Sequence, residues 1–182
     1  PKDTEALGKA CGQAIQTAQS GRPGPTHLAL PSDVLNAPAS APSAMQQDVE
    51  HDLAEPQLKA LIASLHGPPR PLLITGPHLS QSRTADLQAR VSEALALPML
   101  TLESPRGLRD PAMGRLADVL KRADHILLLG KRVDFTLGLA QAQHFAPDVR
   151  FDLVESDSAC IEQAKRNLGE RLRSLYEASA QP

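Results

Sequence analysis

The sequence contains no tryptophan, and aromatic residues make up only 2% of it. Its core must therefore be built from leucine, isoleucine, valine and alanine, as in parallel sheets flanked by helices. Cysteine occurs twice, as Cys11 and Cys160, far apart and without C-x-x-C spacing. That excludes a disulfide framework and leaves two reduced packing residues. Excess charge is also missing: the formal net charge is −2, so there is no basic character to attract nucleic acid or an anionic membrane surface. No apolar run approaches the ~20 residues that span a bilayer, and the first residues carry no signal-peptide core. The protein reads as cytoplasmic. The sequence holds no G-x-G-x-x-G fingerprint, no G-x-S-x-G elbow and no Gly-Asp-Gly triplet, so neither a simple dinucleotide loop nor a hydrolase triad is signalled. Asp48, Glu50, His51 and Asp52 cluster in a linker, where metal-ligand geometry is not expected.

What is present is an ordinary globular composition, 182 residues with 41% hydrophobic and 22% charged, enough for one domain with its own core. Leu7, Ala10, Cys11, Ala14, Ile15 and Ala18 recur at helical spacing and predict an amphipathic helix over 4–20 whose apolar face needs a sheet. Residues 36–55 turn to Ala, Pro, Ser and Gln without periodicity and read as an extended, exposed and mobile linker. Beyond it the pattern predicts helices over 56–66, 80–95, 113–122 and 158–167, and strands over 71–75, 98–102, 125–129 and 149–154. A loop or short helix is expected over 134–144. Short apolar strands alternating with helices are the signature of βαβ units. The expected fold is α/β: a Rossmann-like, doubly wound, mainly parallel sheet of about five or six strands with helices on both faces. The domain is expected to occupy 1–170, with 171–182 a tail leading toward a further domain. The absence of an initiator Met fits a domain excised from a longer polypeptide.

Ligands of such sheets bind outside the carboxyl ends of the strands, which here are Thr75-Gly76-Pro77-His78, Glu103 to Gly107, Gly130-Lys131-Arg132 and Glu155-Ser156-Asp157. Gly76 either admits a ligand close to the backbone or makes a tight turn, with the following helix start offering N–H groups to an anion. Pro77 and His78 complete that turn, and His78 reads equally as an exposed loop histidine.

The segment GRPGPTHLALPSDVL, Gly21 to Leu35, couples a rigid Gly/Pro turn to a β-prone run, His27 to Leu30, closed by Pro31. It resembles the entry to the central domain of thiamine-diphosphate enzymes of the acetolactate synthase, benzoylformate decarboxylase and oxalyl-CoA decarboxylase type. ADHILLLGKRVDFTLG, Ala123 to Gly138, is similar to the same family in its apolar run, glycine and basic turn. The resemblance implies the central domain of an acetolactate synthase-like enzyme. Such an enzyme decarboxylates and ligates 2-oxo acids with thiamine diphosphate and Mg²⁺ held by separate pyrimidine- and diphosphate-binding domains, and forms a homodimer or homotetramer. The alternatives are a 2-hydroxyacyl-CoA lyase or oxalyl-CoA decarboxylase homologue, or a non-catalytic nucleotide-binding module. On its own the chain is expected to be inert, with no catalytic residue.

By the same resemblance Gly130, Arg132 and Asp134 lie along a bound FAD or ADP, Arg132 pairing with its diphosphate, while Lys131 and Arg132 also read as a plain solvated pair. Glu155 stands where an acidic group could accept from ribose hydroxyls, and Asp157 or Ser158 reads as a helix cap. Arg22 would lie near FAD where one is bound, or fasten the turn to the sheet. Arg106 sits in SPRGLRDP, which departs from the glycine-rich loop of flavin-binding members.

Overall fold

A computed structural model describes residues 4–19, 24–39, 51–84 and 86–180. They fall into two compact units, one made of Pro1–His51 with Ala180–Pro182, the other of Asp52–Ser179.

In the first unit the expected helix forms as α1, Thr4–Gln19. The chain leaving the Gly/Pro turn folds back along it: Gly24 N–H donates to the Ala18 carbonyl at 2.9 Å, and the Thr26 hydroxyl donates to that of Ala14 at 3.0 Å. The strand expected over His27–Leu30 does not form, and these residues belong to no regular element. Pro25 and Pro31 remove backbone donors at both ends of the run, which confines such a segment to an edge or to no sheet at all. A short α2, Ser32–Leu35, follows and buries Val34. Most of the expected linker, residues 40–50, lies outside the described residues.

The second unit is a five-stranded parallel sheet, with strands β1 (Pro71–Thr75), β2 (Met99–Thr101), β3 (His125–Leu129), β4 (Arg150–Glu155) and β5 (Leu172–Glu177) in spatial order β2-β1-β3-β4-β5. Four of the strands match the expected ones closely. The fifth is a correction, because residues 172–177 were expected in a tail beyond the domain. Arg173, Ser174 and Glu177 break the apolar run that marks the inner strands, and as an edge strand β5 needs no such run.

Helices α3 (Glu55–Leu65), α4 (Gln81–Thr84), α5 (Asp86–Leu95), α6 (Leu116–Leu120) and α7 (Ser158–Leu168) complete the layers. Alternate strand residues point to opposite faces, and both faces are buried. Leu72, Ile74, Ile126, Leu128, Phe151 and Leu153 pack with Leu116 and Leu120 of α6 and with Ala164 and Leu168 of α7. Leu73, Leu127, Val154 and Tyr176 pack on the other side under Leu61 and Leu65 of α3, with Val91 and Leu95 of α5 beside them. Each fully buried leucine contributes about 2 kcal/mol. Helix α6 is shorter than expected, since Pro111–Met113 forms a separate 3₁₀ turn that ends at Gly114 with φ +55°. No helix among the described residues is long and apolar enough to cross a membrane.

Candidate functional site

Chain order in this sheet runs outward to β2 and then returns past β1 to β3, so connections leave in opposite directions between β1 and β3. That is the switch point where a crevice opens at the strand ends of a doubly wound sheet. Gly76 ends β1 there and Gly130 ends β3. A side-chain carbon on Gly76 would lie 2.4 Å from the Gly130 carbonyl oxygen, so glycine is required for the two strand ends to close on each other. Pro77, His78 and Leu79 then form a 3₁₀ turn, and α4 begins only at Gln81. Two N–H groups of the turn are used inside it, Leu79 to Gly76 at 3.1 Å and Ser80 to Pro77 at 3.2 Å. The helix start is therefore displaced from the strand end. His78 is half-buried rather than exposed.

After β3, Gly130 takes φ +58° and turns the chain into a buried ion pair. Lys131, only 3% exposed, donates from Nζ to the Arg132 carbonyl at 2.9 Å and to Asp134 Oδ1 at 3.0 Å. The same carboxylate oxygen accepts from the Thr136 N–H at 3.0 Å and its hydroxyl at 2.5 Å. Burial alone would raise the Asp134 pKa, but the Thr136 and Lys131 interactions outweigh it and hold the group below its ordinary value. The reading of Lys131 and Arg132 as a solvated pair is thus corrected: Lys131 is internal, and Arg132 donates from Nε to Cys160 Sγ at 2.9 Å at the start of α7. Burial pushes the Cys160 thiol pKa up against the pull of Arg132, so the residue stays a thiol.

At the end of β4, Glu155 Oε1 accepts from the N–H groups of Ser156 at 2.9 Å and Asp157 at 3.2 Å. The oxygen expected to meet a ribose is engaged in its own turn. Asp157 caps α7, its Oδ1 accepting from Ala159 at 2.8 Å and Cys160 at 3.3 Å, as one of the two sequence readings had it. Asp157→Ala is expected to cost about 1 kcal/mol, a fall of a few degrees in Tm by thermal unfolding.

The loop after β2 meets the loop after β3 at Gly107, which has φ +53° and lies against Thr136. Asp110 holds this loop, accepting from Ser104 and from the Ala112 N–H, and both bonds lower its pKa, Ser104 the more. Arg106 stands beyond Gly107 in a hollow of about 420 Å³ with Arg109, Phe135, Leu139 and His144. Phe135 is 69% exposed there, a large apolar ring kept in solvent by a chain with few aromatics. Of the residues expected at the site, Gly76 and Gly130 meet at the switch point, followed in the chain by Pro77 and His78 and by Arg132 and Asp134; Arg132 is drawn to α7, Glu155 ends β4 on the far side of β3, and Arg106 lies in a hollow that none of the others lines. Arg22 lies outside the described residues. Arg109, Phe135 and His144 escaped sequence reasoning, although an aromatic in the polar turn Asp134-Phe135-Thr136 was a usable signal.

A further cluster lies inside the sheet. Asp152 is 0% and His125 1% exposed, with His125 Nε2 3.0 Å from Asp152 Oδ2, and Ser64 Oγ donates to that same oxygen at 2.6 Å. The imidazole N–H is poorly aligned with the carboxylate, and Nδ1 of His125 and Oδ1 of Asp152 have no hydrogen-bond partner. Since the serine donates to the carboxylate instead of to the histidine, this is no nucleophile–base pair.

No family model matches the chain. It is 26% identical to a 2-hydroxyacyl-CoA lyase of Arabidopsis thaliana over 92% of its own length and 32% of the relative's. Against an oxalyl-CoA decarboxylase of Escherichia coli the figures are 27%, 80% and 28%, and against the large subunit of acetolactate synthase isozyme 1 of that organism 25%, 89% and 31%. Its homologues are acyl-CoA lyases, decarboxylases and synthases. The fold matches that of a thiamine diphosphate-dependent 4-hydroxybenzoylformate decarboxylase from Rhodococcus jostii, with a TM-score of 0.66 at 22% identity over 99% of this chain and 36% of the other. The chain spans about a third of the length of these relatives.

Thiamine diphosphate enzymes usually carry Mg²⁺ with the cofactor. Among the described residues no group of three or more His, Cys, Asp or Glu side chains is arranged to hold a metal ion, and the sequence has no Gly-Asp-Gly. The described residues do not fit that ion.

Proposed function

We propose that the chain is the central domain of a thiamine diphosphate-dependent enzyme of the 2-hydroxyacyl-CoA lyase and oxalyl-CoA decarboxylase kind, and that the hollow between its loops after β2 and β3 holds the nucleotide part of a CoA thioester or an adenine nucleotide. The cofactor, bound by other domains, supplies the carbanion that makes or breaks a carbon–carbon bond beside a carbonyl. This chain's own residues bind and orient. The observation that carries the reading is the hollow beside the switch point, where exposed Phe135 stands among Arg106, Arg109 and His144. A base can stack on the ring, and guanidinium groups pair with phosphates in a bidentate way. Arg132, with Nε fixed on Cys160, presents its remaining N–H groups from a set position.

A second reading, the acetolactate synthase type with FAD in the cleft, is supported by the relative at 25% identity. It lacks a glycine-rich loop here, since SPRGLRDP occupies that place. In either reading the full enzyme is a homodimer or homotetramer in the cytoplasm, and the chain alone is inert.

Isothermal titration with CoA, ADP and FAD separates the two. CoA or ADP is expected to bind in the micromolar range and FAD not at all. Arg106→Ala with Arg109→Ala should weaken binding at least tenfold, because each charged hydrogen bond contributes about 1.5–3 kcal/mol. Tight FAD binding alone would favour the synthase type, and no heat from any of the three would remove the nucleotide site.

A further inference from the structure

At the opposite, amino-terminal edge of the sheet lies a second concavity, of about 470 Å³. Its walls come from the entry to β1 (Pro69, Pro71), the turn before β2 (Ala96, Leu97, Pro98) and the last turns of α6 (Val119), with Leu72 and Ala123 as its buried floor. The five-residue length of β1 separates it from Gly76 by roughly 16 Å at about 3.3 Å per residue, so it is not part of the cleft described above.

The walls are rigid. Three prolines fix their own φ, Leu73 N–H donates to the Pro98 carbonyl at 2.9 Å, and Asp124 N–H donates to that of Arg70 at 3.3 Å. Ala96 holds φ +51° without being glycine, a strain of the kind that persists only where surrounding structure imposes it. A preformed apolar hollow of this volume is within the usual range for small-molecule sites.

Charge at the rim is asymmetric. Arg70 is matched by Asp124, which accepts from its N–H at 3.1 Å and from Nε at 3.3 Å. Arg122 also lines the hollow and makes no side-chain hydrogen bond or ion pair among the described residues. Among the described residues the rim therefore offers one unmatched positive charge above an apolar floor.

We infer that this groove binds a small amphiphilic monocarboxylate, a linear or branched apolar tail lying over Leu72, Leu97 and Val119 with its carboxylate on the Arg122 guanidinium. The complement is specific in sign and number: one anion for the one guanidinium at the rim without a partner among the described residues, and an alkyl tail for the apolar wall of proline, leucine, alanine and valine below it.

The test is titration of the protein with decanoate below its micellar concentration, followed by the ¹³C shift of a labelled carboxylate, with 1-decanol as the uncharged probe. One saturable site per chain is expected. Arg122→Gln should weaken it at least fivefold, and Val119→Glu should abolish it by putting an anion in the groove. Val119 is 44% exposed, so neither change disturbs the core, and an unchanged far-UV circular dichroism spectrum verifies this. Absence of saturable binding, as expected if the groove is instead covered by a polypeptide segment, would overturn the assignment. So would equal affinity for decanol, or binding that neither variant moves.

Discussion

Asp152→Ala is expected to lower the stability of the protein by about 3 kcal/mol, since it removes the only carboxylate from a buried cluster and leaves the buried His125 without its partner. His125 and Ser64 both lie against the Asp152 Oδ2 oxygen; the partly buried Ser64 hydroxyl keeps a second acceptor in the Leu61 carbonyl at 2.8 Å, but His125, 1% exposed, has no route to water. For a domain of this size the loss corresponds to a fall of roughly 10 °C in Tm. Asp152→Asn keeps the shape and one acceptor, and is expected to cost less than half as much. The pH dependence has a definite sign. Burial alone would raise the Asp152 pKa, but the close contact of His125, the hydrogen bond from Ser64 and the attraction of His125 and Arg173 hold it below its ordinary value. A carboxyl depressed in the folded state stabilises above its unfolded pKa of about 3.9, and that contribution fades as pH falls through the lower folded value. Urea midpoints of the native protein and Asp152→Asn should therefore differ most at about pH 5 and draw together as pH falls below the unfolded value of about 3.9. An Asp152→Ala variant within ~0.5 kcal/mol of the native protein would mean that the cluster contributes nothing.

Much of this architecture was legible in the sequence because burial on both faces leaves a plain mark. The runs Pro71–Thr75 and His125–Leu129 are apolar throughout, bounded by loop residues, and could be only inner strands. β5 was not legible, because its sequence LRSLYE mixes charges into an edge position where solvent tolerates them. The strand expected at His27–Leu30 failed for the converse reason: local β propensity cannot form a ladder without a partner. Site residues were legible by place but not by state. Strand ends at Gly76, Gly130 and Glu155 could be found from the alternation of elements. That Lys131 is buried on Asp134, or that Glu155 folds onto its own turn, depends on tertiary packing that no spacing encodes. Asp152 was a missed signal: a lone acid inside the apolar stretch Phe151–Val154 must be paired when buried, and His125 opens the neighbouring strand.

Gly107→Ala should be the most damaging single-methyl change in the loops, because two independent costs fall on one residue. At φ +53° an alanine carries a backbone strain of about 1–2 kcal/mol. Its side-chain carbon would also stand 2.0 Å from the Thr136 carbonyl oxygen and 2.3 Å from the Thr136 Cα. Both are backbone atoms that cannot swing aside, so the loops after β2 and β3 must separate, adding about 1–3 kcal/mol. Two comparisons isolate the terms. Gly114 has nearly the same φ, +55°, with nothing within 4 Å of an added side-chain carbon, so Gly114→Ala reports strain alone. Gly76 has an ordinary φ of −87° and a backbone clash with Gly130 at 2.4 Å, so Gly76→Ala reports crowding alone. Denaturant midpoints should rank Gly107→Ala as the least stable of the three, and close to the sum of the other two losses. Because Thr136 braces Asp134 and Phe135 stands between them in the chain, Gly107→Ala should also lose nucleotide binding at temperatures where it remains folded, while Gly114→Ala retains it. Equal stability losses at Gly107 and Gly114 would show that the two loops part without cost, and that the hollow around Phe135 is not held in shape by their contact.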